Sequence, residues 1–242
     1  MAETTSEKVE EKKKKLRSKP QLLAISSLEP DDERLEIGVD EVGRGPLFGS
    51  VYTAAVILPK GDLFDHSRMK DSKKFHSKSK IQEVAEYIKA NAIAWSITFE
   101  DEKTIDSINI LQATQQSMHK CIAEVLKTPI VKSSTVKLLI DGNYFKPITS
   151  YNNVTGKIEH IPYECVEQGD NKYSCIAAAS ILAKVARDAY IEELCTQNPE
   201  LVEHYSLSSN KGYGAKKHID GIKEHGITVW HRRSFGICKE YV

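Results

Sequence analysis

The chain has 242 residues, of which 40% are hydrophobic and 28% are charged, and its formal net charge is zero. This length suits one domain with short appendages. No apolar run approaches the ~20 residues that a bilayer span needs, so a membrane protein is not expected. The neutral total does not favour a nucleic-acid partner, although a local basic cluster would still allow one.

The five cysteines are widely spaced and form neither C-x-x-C pairs nor a cluster with zinc spacing. Such cysteines are typical of reduced thiols in a reducing compartment. The N-terminus is charged rather than apolar, so a secretory signal is not expected either. These features together predict a cytoplasmic protein.

Residues 1–34 differ from the rest of the chain because acids alternate with lysines and apolar residues are few. This composition is typical of a flexible, solvated tail. A basic arm that contacts nucleic-acid phosphates is the alternative. The interleaved acids favour the tail, so we expect residues 35–242 to form the folded domain.

The predicted elements begin with strands and continue as strands that alternate with helices. Apolar, β-branched runs predict the strands, and apolar residues at helical spacing predict the helices. Strands are expected at 35–39, 51–58, 93–99, 136–140 and 160–166, and helices at 77–92, 101–127 with a break near Asn109, 176–196 and 215–225. This order implies an α/β fold with a mixed sheet covered by helices.

Acidic residues follow three of the predicted strands: first Asp40 and Glu41, then Asp141, then Asp170. A carboxylate at a buried strand end loses hydration unless a partner compensates its charge. Divalent cations could compensate all of them, since Mg²⁺ and Mn²⁺ prefer carboxylate oxygens and four carboxylates could hold two ions. Caps and turns are the alternative role for each acid. The pattern alone leaves both interpretations open.

The segment Gly43-Arg44-Gly45 directly follows the first acidic pair. It is neither a Walker phosphate loop nor a dinucleotide fingerprint. Its glycines would let the backbone approach a ligand and expose its amides, and Arg44 could bind a phosphate or a sugar edge. A tight turn between two strands explains the spacing equally well.

Several short motifs follow one another along the chain. They are Asp40-Glu41-Val42-Gly43-Arg44-Gly45-Pro46-Leu47, Asp71-Ser72-Lys73-Lys74, Ile108-Asn109-Ile110-Leu111, Asp141-Gly142-Asn143, Gly169-Asp170, residues 177–188, Asn210-Lys211-Gly212-Tyr213-Gly214, Lys217-His218 and His231-Arg232-Arg233-Ser234-Phe235. In this order they resemble the ribonuclease HII family, the type 2 ribonucleases H. The resemblance implies a ribonuclease H-like fold, with a five-stranded mixed sheet flanked by helices and a helical C-terminal region.

The resemblance also implies a catalytic centre. It places Asp40, Glu41, Asp141 and Asp170 on the family's catalytic, metal-binding positions, with two Mg²⁺ or Mn²⁺ ions as cofactors. Asp188 is a further carboxylate nearby in sequence. Because it lies inside a predicted helix next to Arg187, we interpret it as structural or as a residue that supports the metal ligands without binding the metal.

Substrate contacts are implied in the same way. Gly43, Arg44 and Gly45 match the loop that recognises a ribonucleotide through its 2′-hydroxyl, the group that separates RNA from DNA. Tyr213 matches the tyrosine that stacks on the sugar of the next deoxynucleotide, although a turn residue between glycines would look the same. Phosphate contacts are implied for Lys73, Lys74, Ser180 and Lys184. An ordinary solvated lysine is the alternative for the last of these.

The implied activity is that of an endonuclease. It would cut the RNA strand of RNA–DNA hybrids, and duplex DNA that contains single ribonucleotides, on the 5′ side of a ribonucleotide. It would leave 3′-hydroxyl and 5′-phosphate ends, serve ribonucleotide repair or replication, and act as a monomer. One alternative is an inactive hybrid-binding module of the same fold. Another is ribonuclease HIII, which lacks Gly-Arg-Gly and carries an extra N-terminal domain.

The chain departs from the family pattern in three places. Gln168 stands where a lysine usually precedes Gly-Asp, so a cation near the metal site would be missing. Residues 146–161 are longer than usual and polar, which predicts a surface loop. The tail at residues 1–34 is also extra.

Overall fold

The computed structural model describes residues 34–60, 63–70, 72, 75, 77–132, 135–152 and 156–242. The strands are β1 (Leu35–Val42), β2 (Val51–Ile57), β3 (Ala94–Glu100), β4 (Val136–Asp141), β5 (Thr149–Asn152), β6 (Lys157–His160) and β7 (Tyr163–Val166). The helices are α1 (Lys78–Asn91), α2 (Glu102–Leu126), α3 (Pro129–Lys132), α4 (Ser174–Gln197), α5 (Glu200–Tyr205), α6 (Leu207–Asn210) and α7 (Lys216–His225). Five of the strands form one mixed sheet, so the predicted fold class is confirmed.

The main sheet has the order β3-β2-β1-β4-β7, with β1 at its centre. β1 pairs antiparallel with β2 and parallel with β4, and β7 continues the parallel half. A central strand is covered on both faces, which agrees with the apolar runs in β1 and β4. The carboxyl ends of three parallel strands therefore meet at one edge of the sheet.

Helices cover both faces of the sheet and form two separate apolar cores. On one face α1 and α4 pack through residues such as Ile88, Ile176 and Ile181. On the other face α2 packs Met118 and Ile122 against Ile37. These two cores fix the sheet between the helices, and they hold the edge of the sheet where the acids lie.

Helix α2 begins and bends as its polar residues predict. The Asp101 side chain accepts a hydrogen bond from the Thr104 amide at 2.8 Å and so caps the first turn. Asn109 leaves the helical conformation with φ 65°, which confirms the predicted break. Its side-chain oxygen accepts from the Gln112 amide at 3.1 Å, so it restarts the helix that it interrupts.

One strand boundary differs from the sequence prediction. The first strand was expected to end before Asp40, but β1 continues to Val42. Asp40 pairs with Ala54 of β2, and Glu41 pairs with Thr53. The ladder with β2 extends the strand through both acids, and a single-sequence pattern cannot register such pairing.

The segment around residues 146–166 also differs from the prediction. The expected surface loop contains a hairpin, in which β5 and β6 pair antiparallel outside the main sheet. The expected strand at 160–166 is divided, so that His160 ends β6 while β7 begins at Tyr163. Pro162, which has no N–H to donate, separates the two strands.

Several other predictions meet the structure in different ways. The tail lies outside the described residues except for residue 34. All five cysteines are free, as expected. Within the described ranges, no helix has the length and apolar character that crossing a bilayer requires.

The C-terminal region is helical, as predicted, and it packs against the loop that follows β1. Helices α5, α6 and α7 enclose a third apolar cluster that includes Phe48, Ile191 and Ile222. Backbone hydrogen bonds join Leu47 to Gly212 at 2.8 Å, and Arg232 to Leu47 at 2.8 Å. The loop between β1 and β2 is therefore built against residues that are distant in sequence.

Gly38 allows β1 to lie directly against α4. A Cβ atom at this position would lie 2.2 Å from the backbone carbon of Cys175. Backbone cannot yield as a flexible side chain can, so Gly38→Ala should lower the free energy of unfolding by about 3 kcal/mol or more. Urea unfolding of both proteins would measure the difference.

Gly214→Ala is the matched control for this substitution. A Cβ at Gly214 would meet only ordinary contacts, the nearest being 3.6 Å from Leu47. Only a small change in the free energy of unfolding is expected for this variant. Equal stability of the Gly38 variant and the unmodified protein would contradict the proposed close packing.

Candidate active site

The acids that the sequence singled out lie at one edge of the sheet. Asp40 is buried inside β1, and Asp141 ends the neighbouring parallel strand β4. Asp170 is buried in the short 3₁₀ turn Gly169–Asn171, which follows β7. Because β1, β4 and β7 are adjacent and parallel, their carboxyl ends bring these positions to the same edge.

A hydrogen bond ties the turn that carries Asp170 to Asp141. The Gly169 amide donates to Asp141 Oδ1 at 2.6 Å. Within the turn, the Asn171 side-chain amide donates to Asp170 Oδ1 at 2.9 Å. Gln168, the unusual residue before this turn, is exposed. The turn is therefore fixed by Asp141 itself.

The electrostatic state of the acids indicates uncompensated negative charge. Burial raises the pKa of Asp40 well above its usual range, and the nearby charges of Glu41 and Asp141 raise it further. Burial also raises the pKa of Glu41 to about 7, with Arg44 opposing the shift and Asp141 adding to it. These three carboxylates share one low-dielectric environment and repel one another.

This donor set fits a divalent cation. Oxygen ligands, burial and mutual repulsion are the conditions under which Mg²⁺ or Mn²⁺ would stabilise the charged forms. Among the described residues, no three histidine, cysteine or acidic side chains are already gathered as a closed ligand set. The acids are thus electrostatically coupled without being pre-arranged around an ion.

Ser180 and Lys184 occupy one face of α4, one turn apart, as their spacing predicts. Ser180 is buried, its hydroxyl bonds to Asp40, and it lies 3.0 Å from the Ser72 hydroxyl. Lys184 pairs with Asp188 at 2.7 Å, and Asp188 is not among the charges that raise the pKa values of Asp40 and Glu41. Their phosphate contacts stay predictions, and those of Lys73 and Lys74 lie outside the described residues.

The Gly43-Arg44-Gly45 loop lies directly beside the acids. Gly43 has φ 97°, and a Cβ there would lie 2.2 Å from Arg187 Nε, so this position requires glycine. Arg44 is exposed, and its guanidinium contacts Glu41 Oε1 at 3.3 Å. The structure therefore joins the loop to the acidic edge through an accessible ion pair.

Tyr213 lies beside this loop. Its side chain is 47% exposed, which leaves a ring face open to a ligand. A Cβ at Gly45 would lie 3.7 Å from the Tyr213 ring, so the loop backbone and the ring are in van der Waals range. The structure thus brings Gly45 and Tyr213 together although they are distant in sequence.

A pair of buried histidines holds the backbone of Tyr213. His218 Nδ1 lies 2.9 Å from the Tyr213 carbonyl oxygen, and His218 Nε2 lies 3.0 Å from His231 Nε2. The Thr228 amide donates to His231 Nδ1 at 2.9 Å. A carbonyl only accepts, so His218 carries its proton on Nδ1 and His231 carries its proton on Nε2. Both rings are therefore neutral.

Sequence reasoning assigned no role to two arginines that the structure places beneath the loop. Arg187 and Arg232 are fully buried, and both donate hydrogen bonds to backbone carbonyl oxygens. For Arg187, the sequence signal that could have revealed its burial was spacing, because Ala183, Arg187 and Ile191 recur every four residues along the buried face of α4. An arginine in such a series indicates a buried structural cation.

Comparison with known proteins agrees with the motifs. The profile of the family described as ribonuclease HII matches residues 37–238. A ribonuclease HII from Parabacteroides distasonis is 41% identical over 207 residues, which cover 86% of this chain and 92% of that protein.

Solved structures show the same fold. The ribonuclease H2 of Pyrococcus horikoshii OT3 matches with a TM-score of 0.61 and 21% identity, covering 85% of this chain and 96% of that one. A Bst-RNase HIII in complex with Mn²⁺ matches with a TM-score of 0.63 and 19% identity, covering 86% of this chain and 69% of that one. At these identities the likeness supports the fold alone.

The neutral histidine pair predicts a loss of stability in acid. Burial lowers the pKa of His218, and burial with the neighbouring His218 lowers the pKa of His231 to about 3. Between the unfolded value of about 6.5 and that lower value, the unfolded chain binds more protons than the folded one. The contribution of the histidine pair to the free energy of unfolding should therefore fall as the pH drops below about 6.5. The raised pKa values of Asp40 and Glu41 contribute with the opposite sign in this range, so the effect of the pair is read from the difference between variants.

His231→Gln should weaken this acid sensitivity, because glutamine does not titrate and can still donate to His218. Urea unfolding between pH 7 and 4.5 would measure the slope for each protein. His160→Gln, at an exposed position in β6, is the control and should keep the original slope. Identical slopes for all three proteins would show that the buried pair does not cause the acid sensitivity.

Proposed function

This chain belongs to the ribonuclease HII family and is an endoribonuclease, and we propose that it cuts on the 5′ side of a ribonucleotide, including a single ribonucleotide within duplex DNA. The products would carry 3′-hydroxyl and 5′-phosphate ends. One observation carries the proposal: the exposed loop residues Arg44 and Gly45, with Tyr213 beside them, adjoin Asp40 and Glu41, whose pKa values are raised by burial and by neighbouring acids. Such a site combines substrate recognition with a place for cations.

The carboxylates would hold the cations. Asp40, Glu41 and Asp141 share one electrostatic environment, and the Asp141 hydrogen bond to Gly169 fixes the turn from which Asp170 would join them. Bound divalent ions would supply Lewis-acid chemistry for phosphodiester hydrolysis, and two ions are the expected number. Ser180 supports the charged form of Asp40, since its hydroxyl lowers the pKa of that acid.

The loop would recognise the sugar. Arg44 and Gly45 are exposed, and Gly45 adjoins the open ring of Tyr213. A 2′-hydroxyl both donates and accepts hydrogen bonds, so exposed backbone amides can select ribose over deoxyribose. Tyr213 would stack on the neighbouring sugar. A sugar bound in the cleft between this loop and Tyr213 would place its adjoining phosphate toward the acidic edge.

Phosphate contacts would extend from the acids along α4. A groove of about 330 Å³ is lined by residues that include Ser72, Lys78 and Lys184. The Lys184–Asp188 pair is partly exposed, so a phosphate could compete with the carboxylate for the ammonium group. The phosphate contacts of Lys73 and Lys74 stay predictions.

An inactive hybrid-binding module is the second candidate. Mutual repulsion among buried carboxylates favours the enzyme, because a module that only binds nucleic acid gains nothing from buried negative charge. A monomeric state, a cytoplasmic location and a role in ribonucleotide repair stay predictions.

Metal binding can be tested through stability. Asp141→Asn removes a charge that raises the pKa of Asp40 and Glu41, while its oxygen can still accept from Gly169. The chelator-treated variant should be more stable than the unmodified protein by about 1 kcal/mol, or roughly 3 °C in Tm. Mg²⁺ or Mn²⁺ should raise the Tm of the unmodified protein more than that of the variant.

Asp188→Asn is the control, because that acid pairs with Lys184 and does not raise the pKa values of Asp40 and Glu41. It should keep the full response to metal. An equal rise in Tm for the Asp141 variant and the unmodified protein would show that the ions bind elsewhere.

Cleavage is tested with a labelled DNA duplex that contains one ribonucleotide. The unmodified enzyme with Mg²⁺ or Mn²⁺ should cut at its 5′ side, and an all-DNA duplex should stay intact. Asp141→Asn should lower kcat by at least about 100-fold, as expected for loss of a metal ligand. If the unmodified enzyme leaves the ribonucleotide-containing duplex intact with both ions, the proposed specificity is wrong.

A further inference from the structure

Arg232 lies beneath the recognition loop and is fully buried. Its guanidinium binds the loop backbone through every nitrogen. Nη2 donates to Gly43 O at 2.6 Å, Nη1 to Arg44 O at 3.0 Å and Pro46 O at 2.9 Å, and Nε to Gly49 O at 2.8 Å. One side chain therefore holds most of the loop between β1 and β2.

The chemistry of these bonds requires an arginine. Of the carboxylates in the described residues, none lies within ion-pair distance of this guanidinium, so carbonyl dipoles compensate its charge. Burial and the neighbouring Arg187 lower the pKa of Arg232 to about 9, which leaves it charged at neutral pH. A planar fork with five donors can reach four carbonyls at once, and a lysine cannot reproduce that geometry.

The direction of the carbonyls determines the direction of the amides. In a trans peptide the C=O of one residue and the N–H of the next point in opposite directions. With the Gly43 and Arg44 carbonyls turned toward Arg232, the N–H groups of Arg44 and Gly45 point away from it. Neither N–H has an acceptor within the described part of the chain, and both residues are exposed.

The residue before Arg232 fixes the other side of the cleft. His231 bonds to His218, which in turn donates to the Tyr213 carbonyl. His231 also forms an isolated bridge with Phe48 of the loop. Two consecutive residues of the C-terminal region thus hold the two sides between which a sugar would lie.

The geometry points to Arg232 as a positioning residue for ribonucleotide selection: it turns the amides of Arg44 and Gly45 outward, where they can bind a ribose hydroxyl. This inference rests on the proposed function, in which the Gly43-Arg44-Gly45 loop recognises the sugar. Arg232 itself would not touch the substrate. It acts through the loop, so its loss should change selectivity beyond any change in stability.

The test compares binding to two duplexes of one sequence, one all-DNA and one with a single ribonucleotide. All proteins carry Asp141→Asn to prevent cleavage, and fluorescence anisotropy gives each Kd. The measured quantity is the ratio of the all-DNA Kd to the ribonucleotide Kd. Arg232→Lys keeps the charge and loses the fork, so this ratio should fall by about tenfold, as for the loss of one hydrogen bond to the sugar.

Ile122→Ala is the matched control, because Ile122 is fully buried against the opposite face of the sheet. It should lower stability while keeping the ratio, which separates positioning from general destabilisation. Arg232→Gln, which is neutral and keeps two donors, replaces the lysine variant if that variant shows no cooperative unfolding.

Each outcome is decisive. If the parent protein shows no preference for the ribonucleotide duplex, the proposed loop function fails, and with it the premise of this inference. If the parent shows the preference and a folded Arg232 variant keeps it, the role of Arg232 is overturned while the loop function stands. A fall in the ratio for Ile122→Ala as large as that for Arg232→Lys also overturns it, as does failure of both Arg232 variants to fold.

Discussion

Negative charge buried in the central strand is the constraint on which the site depends. Asp40 lies inside β1, and both burial and its acidic neighbours raise its pKa. Apolar cores on the two faces of the sheet hold β1 and β4 in parallel register, so Asp40 and Asp141 cannot move apart to relieve their repulsion. The stability of the sheet therefore maintains an arrangement of charge that is unfavourable without cations.

Positive charge is buried beneath the loop that follows these acids, and it is kept separate from them. Arg187 and Arg232 donate to backbone carbonyl oxygens, and within the described residues neither forms an ion pair with a carboxylate. Had a buried guanidinium paired with Asp40 or Glu41, it would have neutralised the negative charge that we propose attracts a metal ion. Arg44 does pair with Glu41, but it is exposed and can be displaced.

The proposed recognition cleft is assembled from both ends of the chain. Its loop follows β1, while its tyrosine, histidine pair and buried arginine belong to the C-terminal region. Tyr213 is fixed through its backbone, so its ring stays free for a ligand. Because the C-terminal residues hold the loop by its carbonyls, folding of that region also fixes the direction of the loop amides that we propose bind the sugar.

The sequence by itself determined the mixed α/β sheet, the helices around it, the break at Asn109 and the family, because periodicity and ordered motifs are local properties of the chain. It also identified the acids, but left caps and cations as equal explanations. The continuation of β1 through Asp40, the hairpin within 146–161 and the burial of Arg232 were decided by tertiary structure alone. Each depends on a partner distant in sequence: a ladder, a cross-strand pairing, or a set of carbonyl oxygens that exists only after the chain has folded.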